Sequence, residues 1–208
     1  MPRPGRGRAS ISAWAMSTDG AGARGRAKGY AGLTLPVSEL RASTDPRESS
    51  RGIEVVGMEA ARRDWTYLAR GFQIGLLNLV FRGHGAAEVR EYVRRVVREL
   101  YAGALDQKLV YRKALRKPIG AYTRSTPPHV RAASMLDPAD RRGVIRYIWT
   151  SEGPRPAENR PDMENSPLSI DYDHYVEKQL KPIAQGFTEV LKTDLAHLFG
   201  EEEQLDLF

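Results

Sequence analysis

The sequence predicts an α+β fold, with short antiparallel strands near the start and mostly helices after residue 60. Two early apolar stretches, "AKGYAGLTL" (27–35) and "IEVVGM" (53–58), have the length and composition of strands that pair as a hairpin. From Arg63 onwards, apolar residues instead recur every three or four positions, which is the helical period. We find no internal repeats, so the fold class rests on these two patterns.

The first 26 residues differ in composition from the rest of the chain. They are rich in Gly, Arg, Ala and Ser and have little apolar periodicity, so residues 1–26 are predicted to be disordered or poorly packed. The segment "STDPRESSRG" (43–52) is rich in turn residues and predicts a loop between the two strands.

Two amphipathic helices are predicted next. The first starts after Arg63, and Gly71 and Gly75 weaken it. The second, 84–100, has an apolar stripe and arginines on its other side, for which a solvated basic face is the simplest interpretation. The apolar positions are Trp65, Leu68, Phe72, Leu76, Leu79 and Val80, and then Val89, Tyr92, Val93, Val96, Val97 and Leu100.

Two short helices are predicted in the middle of the chain. The segment 105–115, "LDQKLVYRKAL", predicts one that ends before Pro118. The segment 125–136, "STPPHVRAASML", predicts another with a Ser or Thr cap followed by prolines in its first turn.

A strand, a loop and a long helix are predicted for the remainder. "GVIRYIWTS" (143–151) alternates as a strand does, and 152–167 is predicted to be a loop. A helix is predicted from Asp171 to about Phe199, with a kink at Pro182 because proline lacks the N–H that a helix needs.

Composition excludes several classes of protein. The 208 residues have room for one substantial domain or two small ones. The absence of cysteine excludes disulfides, thiolate zinc sites and a cysteine nucleophile. No apolar stretch is long enough for a bilayer, and the start of the chain lacks the apolar core of a signal peptide. We therefore expect a cytoplasmic protein without a membrane partner.

Positive charge is concentrated in one stretch of the chain. The net charge is +6, yet the segment 107–136 contains no Asp or Glu, whereas 158–173 and 201–203 are acidic. Such a basic block, interleaved with Tyr111 and Tyr122, suits the phosphates of a nucleic acid. On composition alone, a basic surface without a ligand explains the block equally well.

The chain ends in "GEEEQLDLF", which places apolar side chains after an acidic run. Apolar side chains gain free energy by leaving water, so these residues need a pocket. Either the tail packs on its own domain as a frayed helix end, or the pocket belongs to another protein.

The order of several motifs resembles the family B DNA polymerases, in particular the bacterial polymerase II branch. "LVYRKALRKPIGAYTRSTPPHVRAA" (109–133) is similar to the start of the family's thumb domain. "AKGYAGL" and "VGMEAARRDWTYLARGFQ" (56–73) resemble its palm segments, and "GVIRYIWTSEGPRP" and "PLSIDYDHYVEKQLKPIAQGF" its distal thumb. The resemblance is collinear over about residues 26–208.

The resemblance implies a division of the chain into functional parts. Residues 27–104 would be the C-terminal part of the palm, with short strands and two helices. Residues 105–200 would be the DNA-binding thumb, which is mainly helical. Residues 201–208 would be a tail whose "QLDLF" resembles the bacterial motif that docks on the sliding clamp, through Gln204, Leu205, Leu207 and Phe208.

The resemblance also implies DNA contacts. Basic and aromatic residues of the thumb would hold the phosphates of the new duplex, independent of its sequence. In the palm segment, Lys28 and Tyr30 match the family, whereas Ala27 and Gly29 stand where it has Lys and Arg. The implied DNA-binding residues are Lys28, Tyr30, Arg112, Lys113, Arg116, Lys117, Tyr122, Arg124, His129 and Arg131.

Catalysis in the family needs two metal ions held by palm aspartates. The family motifs that carry them, one ending Ser-Leu-Tyr-Pro-Ser and the other Asp-Thr-Asp-Ser, do not occur here, and "STDG" (17–20) lacks the first aspartate. The four histidines share no metal-ligand spacing, and Asp171 and Asp173 are interpreted as a helix cap. We expect Mg²⁺ only in the full-length family, no catalytic residue in this chain and no activity of the chain alone.

The expected partners are primer–template DNA and the sliding clamp, at the nucleoid, and the missing polymerase portion is a further candidate. A truncated gene, a split gene or a displaced reading frame would each explain a resemblance that stops near Arg26. Two alternatives stay open. One is a standalone module that binds the clamp without a polymerase role, and the other is an unrelated basic enzyme or RNA-binding protein, which nothing at catalytic spacing supports.

Overall fold

The structure, a computed structural model, describes six segments of the chain between Tyr30 and Gly200. The predicted disordered start, residues 1–26, the predicted loop 43–52 and the tail 201–208 lie outside the described residues. The described segments are 30–33, 53–56, 65–123, 125–141, 143–157 and 169–200.

Two short strands come first, as the sequence predicts. β1 (Tyr30–Leu33) and β2 (Ile53–Val56) pair in antiparallel fashion, and Ala31 lies opposite Val55. Ala31 is buried in the main core, so this hairpin is anchored to the helices that follow. The predicted hairpin is confirmed.

The first long helix, α1 (Tyr67–Phe81), begins at a polar cap. The side-chain oxygen of Thr66 accepts a hydrogen bond from the backbone N–H of Ala69 (3.2 Å), which pairs one of the free donors of the first turn. The Thr66 hydroxyl donates to the side chain of Gln179, so the cap also joins α1 to the C-terminal helices. The buried apolar residues follow the predicted period and include Leu68, Phe72, Leu76 and Leu79.

The second helix, α2 (Ala86–Tyr101), is amphipathic as predicted. Near its start, a Glu88 carboxylate oxygen accepts a hydrogen bond from the backbone N–H of Gly85 (3.1 Å), where a negative charge is favourable. On its outer side, Arg98 pairs with Glu91 at 3.0 Å in an exposed ion pair that adds little stability. The buried stripe consists of Val89, Val93, Val96 and Leu100.

The segment 105–115 is not the predicted short helix. It contains one 3₁₀ turn (Asp106–Lys108) and then strand β3 (Tyr111–Ala114). β3 pairs antiparallel with β4 (Val144–Thr150), which confirms the strand predicted at 143–151. The helix prediction was wrong because pairing with a neighbouring strand outweighs the helical preference of residues such as Arg, Lys and Ala.

A further strand lies where the sequence predicted only a loop. β5 (Gly153–Pro156) pairs antiparallel with β4 and completes a sheet in the order β3–β4–β5. Pro154 and Pro156 cannot donate backbone hydrogen bonds, and proline is tolerated on such an outer strand. The loop prediction was wrong here because glycine and proline are turn residues by propensity.

The predicted helix at 125–136 is confirmed as α3 (Pro128–Ser134), but its predicted cap is wrong. The N-cap position is Pro127, and no side chain makes a capping hydrogen bond. Pro128 stands in the first turn as predicted. Proline suits this position because its missing N–H would have had no partner within the helix.

The long helix predicted from Asp171 to Phe199 is broken into pieces. A π-helical turn lies just before Pro182, so the irregularity is where the kink was predicted. Continuity is lost again at Lys192, which has a left-handed φ of 52°, before Asp194 caps a new helix. The pieces are α4 (Tyr172–Tyr175), the π turn (Val176–Leu180), α5 (Lys181–Gln185), α6 (Thr188–Leu191) and α7 (Leu195–Phe199).

One hydrophobic core joins the strands and the helices. Ile148 of β4, Tyr175 of α4 and Leu198 of α7 are buried in it together with the apolar faces of α1 and α2. Residues on both sides of position 104 contribute to this core, and the palm–thumb boundary there stays a prediction.

Within the described segments no helix is both long and apolar enough to cross a membrane. A smaller cluster under α3 consists of Ala132, Ala133, Ile145 and Tyr147.

α1 approaches α2 closely at Gly75. A Cβ atom on Gly75 would lie 2.0 Å from the hydroxyl oxygen of Tyr92, whose ring stacks on Phe72 with centres 5.8 Å apart. At Gly71, one turn earlier, a Cβ atom would meet nothing within 4 Å. Contact with the Tyr92 side chain therefore requires glycine at position 75, whereas the space around position 71 would admit a side chain.

We expect Gly71→Ala and Gly75→Ala to change stability in opposite directions. Gly71→Ala puts a better helix former in open space and should raise the free energy of unfolding by about 0.5–1 kcal/mol. Gly75→Ala must displace the Tyr92 ring and should lower it by about 1–2 kcal/mol. Urea unfolding followed by circular dichroism measures both, and a stabilised Gly75→Ala variant would contradict the close approach.

Candidate nucleic-acid interface

The three-stranded sheet divides the predicted basic residues between its two faces. Successive side chains of a strand point to opposite faces, so Arg112 and Lys113 of β3 lie on different sides. In the β3–β4 register, Arg112 is opposite Arg146, and Lys113 is opposite Ile145. Directly opposed residues share a face, so two arginines lie side by side on one face of the sheet.

A tyrosine from α1 supports the arginine on that face. A guanidinium nitrogen of Arg112 donates a hydrogen bond to the Tyr67 hydroxyl (2.7 Å), and its central carbon lies 4.6 Å from the centre of the ring. Arg70 lies 5.9 Å from the same ring centre, so the ring faces two cations. We call the set Tyr67, Arg70, Arg112 and Arg146 the arginine face.

Arg112 and Arg146 bring two positive charges to the arginine face. Within the described segments, no carboxylate lies within ion-pair distance of Arg112 or Arg146. Like charges directly opposite in a sheet are destabilising, so the fold retains this pair at a cost. An anion between the two guanidinium groups would remove the repulsion, and arginine can bind phosphate through two parallel hydrogen bonds.

The other face of β3 groups Lys113 with His129 and Tyr122. The Tyr122 and His129 rings meet edge-on with centres 6.1 Å apart. Partial burial lowers the pKa of His129, and the nearby Lys113 cation lowers it further. His129 is therefore largely neutral at pH 7, when it can still donate one N–H to an anion.

Arg116 and Lys117 are exposed on the loop that follows β3. They line a shallow depression of about 490 Å³ together with Arg141. Arg141 has a structural task, since its Nε donates to the Leu136 carbonyl at 2.8 Å and so pairs a backbone group after α3. Arg116 and Lys117 are thus the cations of this depression that are exposed to an incoming anion.

The remaining predicted residues do not join these groups. Arg131 is exposed near the β4–β5 turn, where a Cβ atom on Gly153 would lie 3.7 Å from its guanidinium nitrogens. Tyr30 belongs to β1, which is in the other sheet. The predicted residues that lie outside the described ones are Lys28, Arg124, Gln204, Leu205, Leu207 and Phe208.

Three members of the arginine face were not predicted from the sequence, namely Tyr67, Arg70 and Arg146. Arg146 is the only charged residue of β4, "VIRYIWT", and an isolated charge in an apolar strand was a usable signal. Tyr67 and Arg70 reach this face because α1 lies beside β3 in the fold, and no local pattern in the sequence reports that proximity.

The acidic residues at α4 have structural tasks. Asp171 accepts a hydrogen bond from the backbone N–H of His174 (2.9 Å), which confirms the predicted cap. Asp173 accepts one from the Tyr101 hydroxyl, and burial together with this bond raises the pKa of Tyr101 to about 12. No three His, Cys, Asp or Glu side chains among the described residues are placed to hold a metal ion.

Comparisons with known proteins agree on one family, although no protein-family profile matches the chain. DNA polymerase II of Escherichia coli (strain K12) is 42% identical over 162 residues, which are 73% of this chain and 19% of that protein. DNA polymerase 2 of Aeropyrum pernix is 34% identical over 138 residues (64% and 17%). The DNA polymerase of Desulfurococcus sp. (strain Tok) is 30% identical over 137 residues (62% and 18%).

These matches confirm the resemblance found in the sequence. The chain belongs to the family B DNA polymerases and corresponds to their C-terminal part. It spans about a fifth of the length of the curated relatives it matches. The α+β fold class is confirmed by the helices and the antiparallel sheets described above.

The pKa of His129 should rise when Lys113 loses its charge. Lys113→Gln removes the cation that helps to hold this pKa below its ordinary value of 6.5 and leaves the burial of the ring unchanged. An NMR titration of the imidazole signals measures the change, with Arg98→Gln on α2 as the control. An unchanged pKa in Lys113→Gln would mean that Lys113 and His129 do not share a face.

Proposed function

We propose that this chain is the DNA-binding thumb part of a DNA polymerase, and that it holds the primer–template duplex by its phosphates. Its relatives are named DNA polymerases. The observation that carries the proposal is the cross-strand pair Arg112 and Arg146, which has no carboxylate partner among the described residues.

The chemistry of the arginine face suits the backbone of DNA. Phosphate contacts position a duplex without reading its sequence, which an enzyme that copies any template requires. Tyr67 restrains the Arg112 side chain in advance, so less conformational entropy is lost on binding. Among the described strands β3 is an outer one, and a phosphate backbone along its edge would reach Arg112 on one face and Lys113 with His129 on the other.

The proposed role is binding and not catalysis by this chain alone. The palm motifs that carry the metal-binding aspartates are absent from the sequence, and the described residues provide no substitute. We infer that nucleotidyl transfer and its Mg²⁺ depend on polymerase residues outside this sequence. That makes the missing portion a proposed partner, and DNA as a ligand would place the chain at the nucleoid.

Removing one charge from the arginine face should reduce the salt dependence of DNA binding. Each phosphate contact contributes about 0.9 to the slope of log K against log salt concentration. We expect Arg112→Gln and Arg146→Gln each to lower the slope by about that amount, and to weaken binding equally for unrelated duplex sequences. Fluorescence anisotropy with a labelled primer–template at several salt concentrations measures both.

Arg98→Gln is the matched control, since Arg98 is an exposed arginine that already pairs with Glu91. Its slope should equal that of the unaltered chain. Equal slopes for all three variants would contradict a phosphate role for the arginine face. Binding confined to the clamp, with none to DNA, would favour the standalone clamp-binding module instead.

We further propose that the tail tethers the chain to a sliding clamp. Gln204 would bond at one end of a groove on the clamp, and Leu205, Leu207 and Phe208 would fill apolar pockets. A few buried anchors carry most of the energy of such peptides. The affinity should be modest, because a flexible tail loses entropy when it is ordered.

Deleting Leu207 and Phe208 should abolish clamp binding and leave DNA binding intact, because the two contacts use different parts of the chain. A pulldown on immobilised clamp, with DNA anisotropy on the same samples, measures both. Glu202→Gln, which changes the tail without touching its apolar anchors, is the control. Undiminished pulldown of the shortened chain would refute the clamp proposal.

A further inference from the structure

A groove of about 890 Å³ lies between α1 and α2. Its floor is apolar, with the buried side chains of Leu68, Phe72, Val96 and Leu105. Gly71 on its wall is exposed and has open space where a side chain would be. The groove is therefore deep enough for apolar side chains of another segment, which would gain free energy by leaving water.

The rim of the groove carries two cations and one acid, namely Arg95, Lys108 and Glu99. The guanidinium carbon of Arg95 lies 5.4 Å from the centre of the Tyr92 ring. Its Nε is buried, and no acceptor within the described segments forms a hydrogen bond with it. A buried donor without a partner costs free energy, so the rim is suited to a carboxylate. The groove thus fits a peptide that combines acidic and apolar residues.

The chain carries such a peptide at a position from which it can reach the groove. Helix α7 packs along α2 and ends at Gly200, where a Cβ atom would lie 2.3 Å from a guanidinium nitrogen of Arg94. The next residues are Glu201, Glu202 and Glu203, followed by Gln204 and the apolar end of the tail. The tail therefore starts on the surface of α2 itself.

Helical geometry places the arginines of α2 along the route from Gly200 to the groove. At about 100° per residue, Arg98 lies about 40° and Arg95 about 100° around the helix from Arg94. On a helix about 10–12 Å across, that last rotation is an arc of about 10 Å, which three extended residues can span. The three glutamates would then pass the arginines, and the residues after them would arrive at the groove.

We propose that residues 201–208 dock in the groove between α1 and α2. One of the tail carboxylates satisfies the Arg95 side chain, and the apolar end of the tail covers Leu68 and Phe72. Leu205, Leu207 and Phe208 cannot occupy this groove and a second protein at once. The docked tail is therefore withheld from other partners until it is released. This inference does not rest on the clamp proposal and requires no clamp for its test.

A disulfide trap tests the docking in the full chain, which has no cysteine of its own. We pair Asp206→Cys, which keeps every apolar residue of the tail, with Gly71→Cys in the groove. The control pairs Asp206→Cys with Gly120→Cys, an exposed glycine in the 3₁₀ turn Ile119–Ala121 with equally open surroundings. Under mild oxidation the groove pair should form its disulfide at least about tenfold faster than the control pair, since docking raises the effective concentration of the two thiols for each other.

Non-reducing gels then distinguish the possible occupants. Docking predicts a crosslinked monomer, and replacing Glu201, Glu202 and Glu203 by Gln should slow the groove pair towards the control rate. Equal rates for the two pairs would overturn the proposal. Crosslinked dimers as the main product would also overturn it, because the groove would then receive the tail of a second copy.

Discussion

The hydroxyl group of Tyr175 is the contact on which the arrangement of sheet and helices depends. It donates to the carbonyl of Leu109 (3.0 Å) just before β3 and accepts from the backbone N–H of Trp149 (2.8 Å) in β4. Tyr175 is fully buried, so losing this hydroxyl would leave the buried Leu109 carbonyl without this partner, at a cost of about 1–3 kcal/mol. The partly buried Trp149 N–H would lose its acceptor as well. Its ring also stacks on Tyr111, with centres 5.7 Å apart. The position of β3, and with it the arginine face, is set by a helix far along the chain.

The same aromatic cluster makes the sheet sensitive to acid. The His174 ring stacks on Trp149 with centres 4.1 Å apart, and its Nε2 lies 2.9 Å from the Tyr111 hydroxyl. Burial lowers the pKa of His174, which the Asp171 charge partly opposes. The His174 ring thus binds a proton less well in the folded state than in the unfolded state, where its pKa is near 6.5. The contribution of the neutral His174 ring to the free energy of unfolding is therefore complete above pH 6.5. It declines as the pH falls towards the lower pKa that His174 has in the folded state.

Sequence patterns predicted the elements that carry their own signal. α1, α2 and β4 have clear periods of three to four or two residues, and the sequence located all three. β3 and β5 are four residues long, "YRKA" and "GPRP", with no apolar alternation, and they are strands only because β4 lies between them. For the candidate site, the order of the motifs and the concentration of positive charge in 107–136 indicated the basic block. Its division between two faces depends on the register of Arg112 and Lys113, which no local pattern reports.

The outer position of β3 has a consequence for the protein in solution. In the described sheet both edges carry residues that discourage a second sheet from pairing, prolines on β5 and two cations on β3. Arg112 and Lys113 therefore oppose self-association as well as attracting anions. A polyanion bound along β3 would screen that repulsion but would also cover the edge. Both the charge repulsion and such a bound polyanion would disfavour pairing of β3 with another sheet.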